Sequence, residues 1–581
     1  MPMVTTDQPF ELSELTLGAL PIIRQFMGRL RLEAILERWL AEPDVRALMG
    51  AARAIMVLIA NLCVAREPLY GIGEWAALHE PAMLGLSAGQ ATLLSDDRVG
   101  RALDELFDCD RGSLLTELVL AAIREFQIDC SQLHNDSTSI TLYGEYAQAD
   151  GRERGGRGTA TAARGYSKDH RGDLKQLVSI LTVTADGAVP LAYRLADGNT
   201  NDDETHIDTW NGLVKLLGTA SFLYVADCKL CSRQQMTHIH GHHGRFVTVL
   251  PRSRSEDGRL REWMTTAIPD WVEAQRKPGK HLGDPEQVWR VCPAPFPSSE
   301  GFHITWVHST VKERVDERSR AEKIDRARQA LGELQARMAG PRARITSRVA
   351  AEEAAAATLA ASGAERWVSF TITETIEKRY RQEKRGRPSA NTRYRELTKT
   401  RYQAQVTVNA EQVRYDAASD GCFPLITNDQ SITDSDVLGA YRYQPNLEKR
   451  HHELKSVQDA APVTLKSPFR IEALFCCQFI AQLINCLIER QARQAMSRDG
   501  IRELPLYHEQ RACAAPTATR IYDHFAAVQR HTITSNGQPV QTFPPKLTDL
   551  QQQLLRLLDM PETSYTTSTP SRPRPLTMGD G

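Results

Sequence analysis

The chain has 581 residues, 41% of them hydrophobic, which allows several cores rather than one. Its formal net charge is −1, so any nucleic-acid surface has to come from local clustering of charge, not overall basicity. Eleven cysteines without a framework pattern exclude a disulfide scaffold in a chain this large and point to reduced, cytoplasmic thiols.

The stretch Met1–Leu20 holds Asp7, Glu11 and Glu14 and lacks the basic start of a signal peptide. Residues 12–125 read as helical. Apolar side chains recur at helical spacing in "PIIRQFMGRLRLEAILERWL" and "RAIMVLIANLCV", and Ser95 or Asp96 offers a cap for "DRVGRALDELFD".

From Cys130 the character changes. "CSQLHNDSTSITLYG" is β-rich, and "LKQLVSILTVTADGAVPLAYRLA" is two apolar runs split at Asp186-Gly187, a hairpin signal. A helix, "DDETHIDTWNGLVKLLG", follows. Two short apolar strands, "SFLYVAD" and "RFVTVLP", come next. Three meandering strands followed by strand-helix alternation predict a mixed α/β sheet. The Gly- and Arg-rich "GRERGGRGTATAARG" between Gly151 and Gly165 reads as a mobile loop. Its Arg152, Arg154, Arg157 and Arg164 are either a DNA-facing strip or solvated charge.

Residues 254–430 read as an inserted module of strands ("FHITWVHS", "RWVSFTITET", "YQAQVTVN") and a charged, Ala-rich helical stretch. This stretch, Val311–Ala361, breaks near Gly340-Pro341 and is most simply an antiparallel pair. Within the module, "KRGRPSANTRYR" places Arg385 and Arg387 in a basic loop suited to DNA, through phosphates or a narrow minor groove. Helix returns over Asp434–Arg493. Its most apolar part, Ala473–Ile488, is too short to span a bilayer and reads as a buried helix. The end, "TSYTTSTPSRPRPLTMGDG", has the composition of a disordered tail.

Two carboxylates stand out. Asp136 lies in the β-rich "HNDSTSITL", and Asp227 ends the apolar strand "FLYVAD". If the two strands are neighbours, the carboxylates repel unless a divalent cation bridges them. A third acid on a helix would complete such a site, and "AYRYQPNLEKRHHELKS" offers one. At about 100° per residue, Glu448, His452 and Lys455 share a face, while Glu453 points away and reads as solvated charge. Asp169, Asp173, Asp202 and Asp203 are rivals, but they sit in turn-like segments where Asp is common for conformational reasons. Cys228 and Cys231 form a CxxC followed by His238, His240, His242 and His243. The choice there is between half of a zinc site and small residues opening a helix, and the second is preferred.

These segments resemble the DDE transposases of bacterial insertion sequences, in particular the group with an insertion before the last acid and a Tyr-Arg-Glu-Lys signature. Tyr441, Gln444, Glu448 and Lys455 fall on that signature's spacing. "NDSTSITLYGEY", "GYSKDHRGDLKQLV", "LADGNTNDDETH", "FLYVAD" and "FPLITN" follow the group's blocks in order over roughly residues 130–491. The signature arginine is replaced by Gln444, followed by Pro445, which fits best as the first position of a new helix.

The resemblance implies a ribonuclease-H-like mixed-sheet core (126–253 and 431–495) carrying an inserted α+β module (254–430). An N-terminal all-α domain (1–125) would recognise DNA ends, and a C-terminal region (496–581) follows. It further implies Asp136, Asp227 and Glu448 as ligands of two Mg²⁺ or Mn²⁺ ions, with Tyr441, Gln444 and Lys455 at DNA phosphates. The implied activity is strand cleavage and strand transfer on transposon ends and target DNA, by a homodimer in the DNA complex, within the bacterial nucleoid. A DNA-binding derivative without activity, and a metal-dependent nuclease without strand joining, are the alternatives.

Overall fold

The structure is a computed structural model that describes residues 10–41, 48–168, 171–201, 204–279, 283–340, 344–457, 465–507, 509, 511–535 and 538–567. Asp169, Asp202, Asp203 and the tail from residue 568 lie outside the described residues. The chain divides into two compact units, one built from Met1–Val247 and Ala440–Gly581, the other from Thr248–Gly439.

The first unit begins with a strand where helix was expected. Phe10–Thr16 pairs antiparallel with Gln529–Ser535, which in turn pairs with Gln538–Phe543. Its partner lies some five hundred residues away, so local periodicity carries no trace of it. The long apolar run that follows is two helices, Leu20–Arg29 and Leu32–Trp39, broken where Arg31 takes φ 52°. Ser95 caps the helix Asp96–Asp108 by accepting from Arg98 N at 3.2 Å.

The sheet of this unit contains β1 (Gln132–Leu142), β2 (Lys175–Thr184), β3 (Pro190–Ala196), β4 (Leu223–Ala226) and β5 (Arg245–Val249) in the order β3-β2-β1-β4-β5. β1, β2 and β3 are antiparallel, whereas β4 runs parallel to both β1 and β5. The parallel crossovers use helices α1 (His206–Leu217) and α2 (Arg233–Gly241). β4 is buried at all four positions, as its continuous apolar sequence demands. The β2–β3 turn needs φ 82° at Gly187, which glycine adopts without strain.

The second unit pairs β6 (Val272–Lys277), β7 (Gln287–Pro293) and β8 (His303–Ser309) antiparallel in series. It then forms the helix pair α3 (Thr310–Ala339) and α4 (Arg348–Ser362). Two 15-residue strands, β9 (Val368–Gln382) and β10 (Tyr394–Val408), make a separate antiparallel ribbon. Strand β11 (Cys422–Thr427) returns to pair with β8. The base of the ribbon packs Val368, Ile372, Tyr402 and Ala404 against Ala327, Leu331, Ala351 and Ala355 of the helix pair.

Helix α5 (Asp434–Tyr441) leads into α6 (Gln444–His452), with Pro445 in its first turn. The long α7 (Pro468–Arg498) is the central core helix of the first unit. It extends well beyond the apolar stretch read from the sequence. By length and composition alone it could cross a membrane, but 83% of its most apolar window is buried in the protein. Its Phe475, Phe479, Ile484 and Leu487 each contribute about 1.5–3 kcal/mol by leaving water. Ordered structure also reaches further than the composition of the C-terminus suggests. Tyr565 is fully buried and donates to Gly18 O at 2.9 Å.

Candidate functional site

Register brings the first two acids together. β1 and β4 pair in parallel up to Asn135↔Ala226, so Asp136 and Asp227 are the next residues on adjacent strands. Asp227 leaves the sheet into a tight turn and accepts from Lys229 N at 3.0 Å. Burial raises its pKa, and the neighbouring Asp136 charge pushes it the same way; the Lys229 amide opposes the shift, as do His206 and Lys168. Two carboxylates held this close call for a cation.

Among protein groups, Lys168 answers. Its Nζ lies 3.3 Å from Asp136 Oδ1 and also donates to Ser137 O and, at 3.2 Å, to Ser137 Oγ. Lys168 N donates to Ser139 Oγ at 3.2 Å, which fixes the loop over the strand. The sequence reading included Lys168 inside a family block but gave it no role.

The third acid stands on α6, which is clamped from behind. Gln444, Leu447, Arg450 and His451 are its buried face, while Glu448, one turn after Gln444, is exposed. Tyr441 ends α5. Burial first, then the charges of Asp227, Cys228, Glu448 and Asp136, push its hydroxyl up to about 12. As they stand, no group of three or more His, Cys, Asp or Glu side chains among the described residues could hold a metal ion.

Several expectations need correction. Gln444, expected at DNA, is 6% exposed. Its Nε2 donates to Asn135 O at 3.1 Å, and its Oε1 lies 2.9 Å from His134 Nδ1. Burial lowers the His134 pKa to about 4, so this imidazole is neutral. With Gln444 Oε1 accepting at Nδ1, the proton sits there, and Nε2 accepts from Gln132 Nε2 at 2.8 Å. Gln444 thus seats α6 on β1 directly behind Asp136. Gln444→Ala should lower stability by about 1–3 kcal/mol, the cost of stranding buried partners, with DNA affinity unchanged. Thermal unfolding and a binding titration check both halves.

Glu453, read as solvated, is ion-paired to Arg450 at 2.7 Å, and burial raises its pKa. Arg450 in turn bonds Glu489 of α7 at 2.9 Å and the carbonyls of Gly187 and Ala188 at 3.1 and 3.2 Å. Glu448 and His452, one turn apart in α6, are both exposed, whereas Lys455 lies beyond α6 in the π-helical turn Glu453–Val457, to which 100° arithmetic does not apply. It is His451 that points inward. This side chain is 5% exposed, with its Nε2 3.9 Å from Asp136 Oδ2. Burial, then Lys168 and Lys455, hold its pKa down at about 3.

The glycine-rich loop is also more structured than its composition implies. Arg154 bonds Asp108 at 2.7 Å and stacks 4.4 Å over Phe469, and Arg157 donates to Asp108 O. Both arginines fasten the loop to a helix. Asp173 pairs with Arg171 at 2.8 Å on the surface.

Cys228 and Cys231 flank the turn after Asp227, Cys231 being buried. His238 instead bonds Asn211 at 3.0 Å and packs on Trp210 and His242. Replacing both cysteines by Ser should leave metal-dependent DNA cleavage unchanged. Elemental analysis should find no stoichiometric zinc in the unaltered protein.

Arg385 and Arg387 sit in the turn of the β9–β10 ribbon, which is closed by Glu383 N donating to Arg393 O at 3.0 Å. All residues of Lys384–Arg393 except Asn391 to Thr392 are charged, small or proline, and the turn is exposed apart from a half-buried Thr392.

Residues 12–120 match the family model described as "Domain of unknown function (DUF4277)". No curated protein matches the chain. Among solved structures, the chain is similar to one described as "Cryo-EM structure of piggyBac transposase synaptic complex with hairpin DNA (SNHP)", at 8% identity and a TM-score of 0.25. The alignment covers 50% of this chain and 60% of that one.

Proposed function

We propose that the chain is a DDE transposase that cleaves DNA strands and joins their 3′-hydroxyl ends to a target. The observation that carries this reading is the parallel register Asn135↔Ala226, which sets Asp136 and Asp227 side by side on adjacent strands, with Glu448 exposed on α6, whose Gln444 is hydrogen-bonded to Asn135 O at 3.1 Å. The strand order, with three antiparallel strands followed by two parallel ones, supports a ribonuclease-H-like core. Ordered sequence blocks support the insertion-sequence group of bacteria.

The donor set fits a hard divalent cation, because it is all carboxylate oxygen. Mg²⁺ is held by one or two carboxylates together with substrate phosphates rather than by a closed protein cage. The adjacent Asp136 and Asp227 would be the principal ligands, with Glu448 joining from α6. When bound, two such ions supply activation of the attacking oxygen and stabilisation of the leaving one. The chain's own part is positioning. β1 and β4 fix the two aspartates in register, and Gln444 and Arg450 hold α6 so that Glu448, one turn after Gln444, is left exposed at the edge of the buried face. Lys168 neutralises Asp136 in the metal-free protein. Tyr441 and Lys455 would meet DNA phosphates, and DNA ends and target are the partners, with a homodimer acting in the DNA complex in the bacterial cytoplasm.

The test compares Glu448→Gln with Glu453→Gln in nicking of plasmid DNA with Mg²⁺ or Mn²⁺. Loss of nicking by about a hundredfold or more in the first, with soluble protein and retained DNA binding, is the expected result. Full activity of Glu448→Gln would remove it from the site.

A further inference from the structure

The ribbon β9–β10 is an unusual object. Two strands of about 3.4 Å per residue make an arm of roughly 50 Å, and only its base is packed. From Glu374 to Gln382 no residue is buried, and from Tyr394 to Arg401 none is either. A lone two-stranded ribbon is marginal in water, so an arm of this length without a covering layer fits a surface that is covered by something else.

Its charge says what covers it. Between Glu377 and Lys399 stand nine Lys and Arg against three Glu, in a chain whose net charge is −1. Pairing is continuous from Val368↔Val408 to Gln382↔Tyr394, so side chains alternate between two faces. One face carries Arg379, Arg381 and Arg395 beyond Glu377, which pairs with Arg401 at 3.0 Å and lies 3.7 Å from Arg379, and Arg381 stands directly across from Arg395. Like charges opposed across strands destabilise a ribbon, and a polyanion laid over them reverses that sign. The other face has Lys378 and Tyr380 gathered on Glu396 at 2.8 and 2.9 Å, so its carboxylate is already matched.

Resting on the reading of DNA as substrate, we infer that this ribbon lies in the major groove of duplex DNA, with its Arg379, Arg381 and Arg395 face toward the phosphates and base edges and the Arg385–Arg387 turn at its tip. The major groove, about 12 Å wide, admits a two-stranded ribbon, whereas the minor groove, about 6 Å wide, does not. The ribbon, not the tip alone, is then the binding element.

Two variants test this in the full chain. In one, Lys378–Thr398 is replaced by Asn-Gly, which closes Glu377 onto Lys399 with a two-residue turn. The other is Arg379→Ala with Arg381→Ala and Arg395→Ala. Binding to a random-sequence duplex is titrated against salt, with methyl green as major-groove competitor and netropsin as minor-groove competitor.

The shortened arm should keep the unaltered thermal unfolding and bind at least tenfold more weakly. The triple variant should lose up to about 0.9 in log-log salt slope for each phosphate contact removed. Methyl green should displace the unaltered protein and have less effect on the shortened one. Equal affinity and slope in both variants, or displacement by netropsin alone, would overturn the inference. Failure of the transposase reading looks different, for then the unaltered protein cuts no DNA with any divalent metal, whatever its arm does.

Discussion

Asp227→Asn should abolish strand cleavage, by about a thousandfold or more, and leave DNA binding intact. The magnitude follows from the several kcal/mol of transition-state stabilisation that a carboxylate-held metal supplies, at about 1.36 kcal/mol per factor of ten. Binding should survive because the basic arm lies elsewhere in the chain. A second signature separates loss of chemistry from loss of fold. Burial and the Asp136 charge raise the Asp227 pKa. A raised carboxyl contributes stability below its unfolded pKa and loses it as pH rises through the folded value. The metal-free protein should therefore lose stability as pH climbs above about 4, the unfolded value of an Asp. The Asn variant should lack that decline and be the more stable of the two at neutral pH. Thermal unfolding in EDTA between pH 4 and 8 measures it, and an Asn variant that is less stable at neutral pH would contradict the account of this pair.

Arg450→Met should carry the largest cost to folding. Arg450 is 3% exposed and lies between Glu453 and Glu489 at 2.7 and 2.9 Å. Its removal strands Glu489, whose side chain is buried, with Arg493 at 3.1 Å as remaining cation, and frees the carbonyls of Gly187 and Ala188. Breaking one side of a buried pair costs about 3–5 kcal/mol. Stability should fall by that order in denaturant unfolding of the variant. The loss should shrink at acid pH, because a carboxyl with a raised pKa, as Glu453 already has, takes up its proton and ceases to need a cation. Adding Glu489→Leu should recover part of the loss. A variant within 1 kcal/mol of the unaltered protein at every pH would show that this clamp does not hold α6.

How much of this was legible in the sequence depended on whether the signal was local. The β1–β2–β3 meander and the strand ending in Asp227 are written in apolar runs and in the Asp186-Gly187 turn, which local chemistry decides. Pro445 marked the start of α6 for the same reason, since it lacks a donor that a first turn does not use. What escaped was tertiary. Phe10–Thr16 becomes a strand because Gln529–Ser535 is there to receive it.

The site divides the same way. Asp136 and Asp227 stood out from the strands that carry them, and the register sets them on adjacent strands; Glu448 came from the family resemblance. Lys168 reaches Asp136 through a loop, and His451 belongs to the buried face of α6 with Gln444 and Leu447, a face set by partners on β1 and α7 rather than by polarity. Gln444 and Glu453 were misjudged in one direction, polar residues taken for surface. Burial of a polar side chain depends on partners supplied from afar, His134 and Asn135 for one and Arg450 for the other.

The central claim, metal-dependent cutting and joining of DNA by the three acids, is tested most directly with the DNA that flanks the gene. Matched inverted repeats recovered there, supplied as labelled duplexes with plasmid target in Mg²⁺, provide the natural substrate. The account predicts cleavage at the repeat end and covalent joining of its 3′-hydroxyl to the plasmid, both absent in EDTA and in Asp227→Asn. Cleavage that never joins, or joining that persists without Asp227, would contradict it.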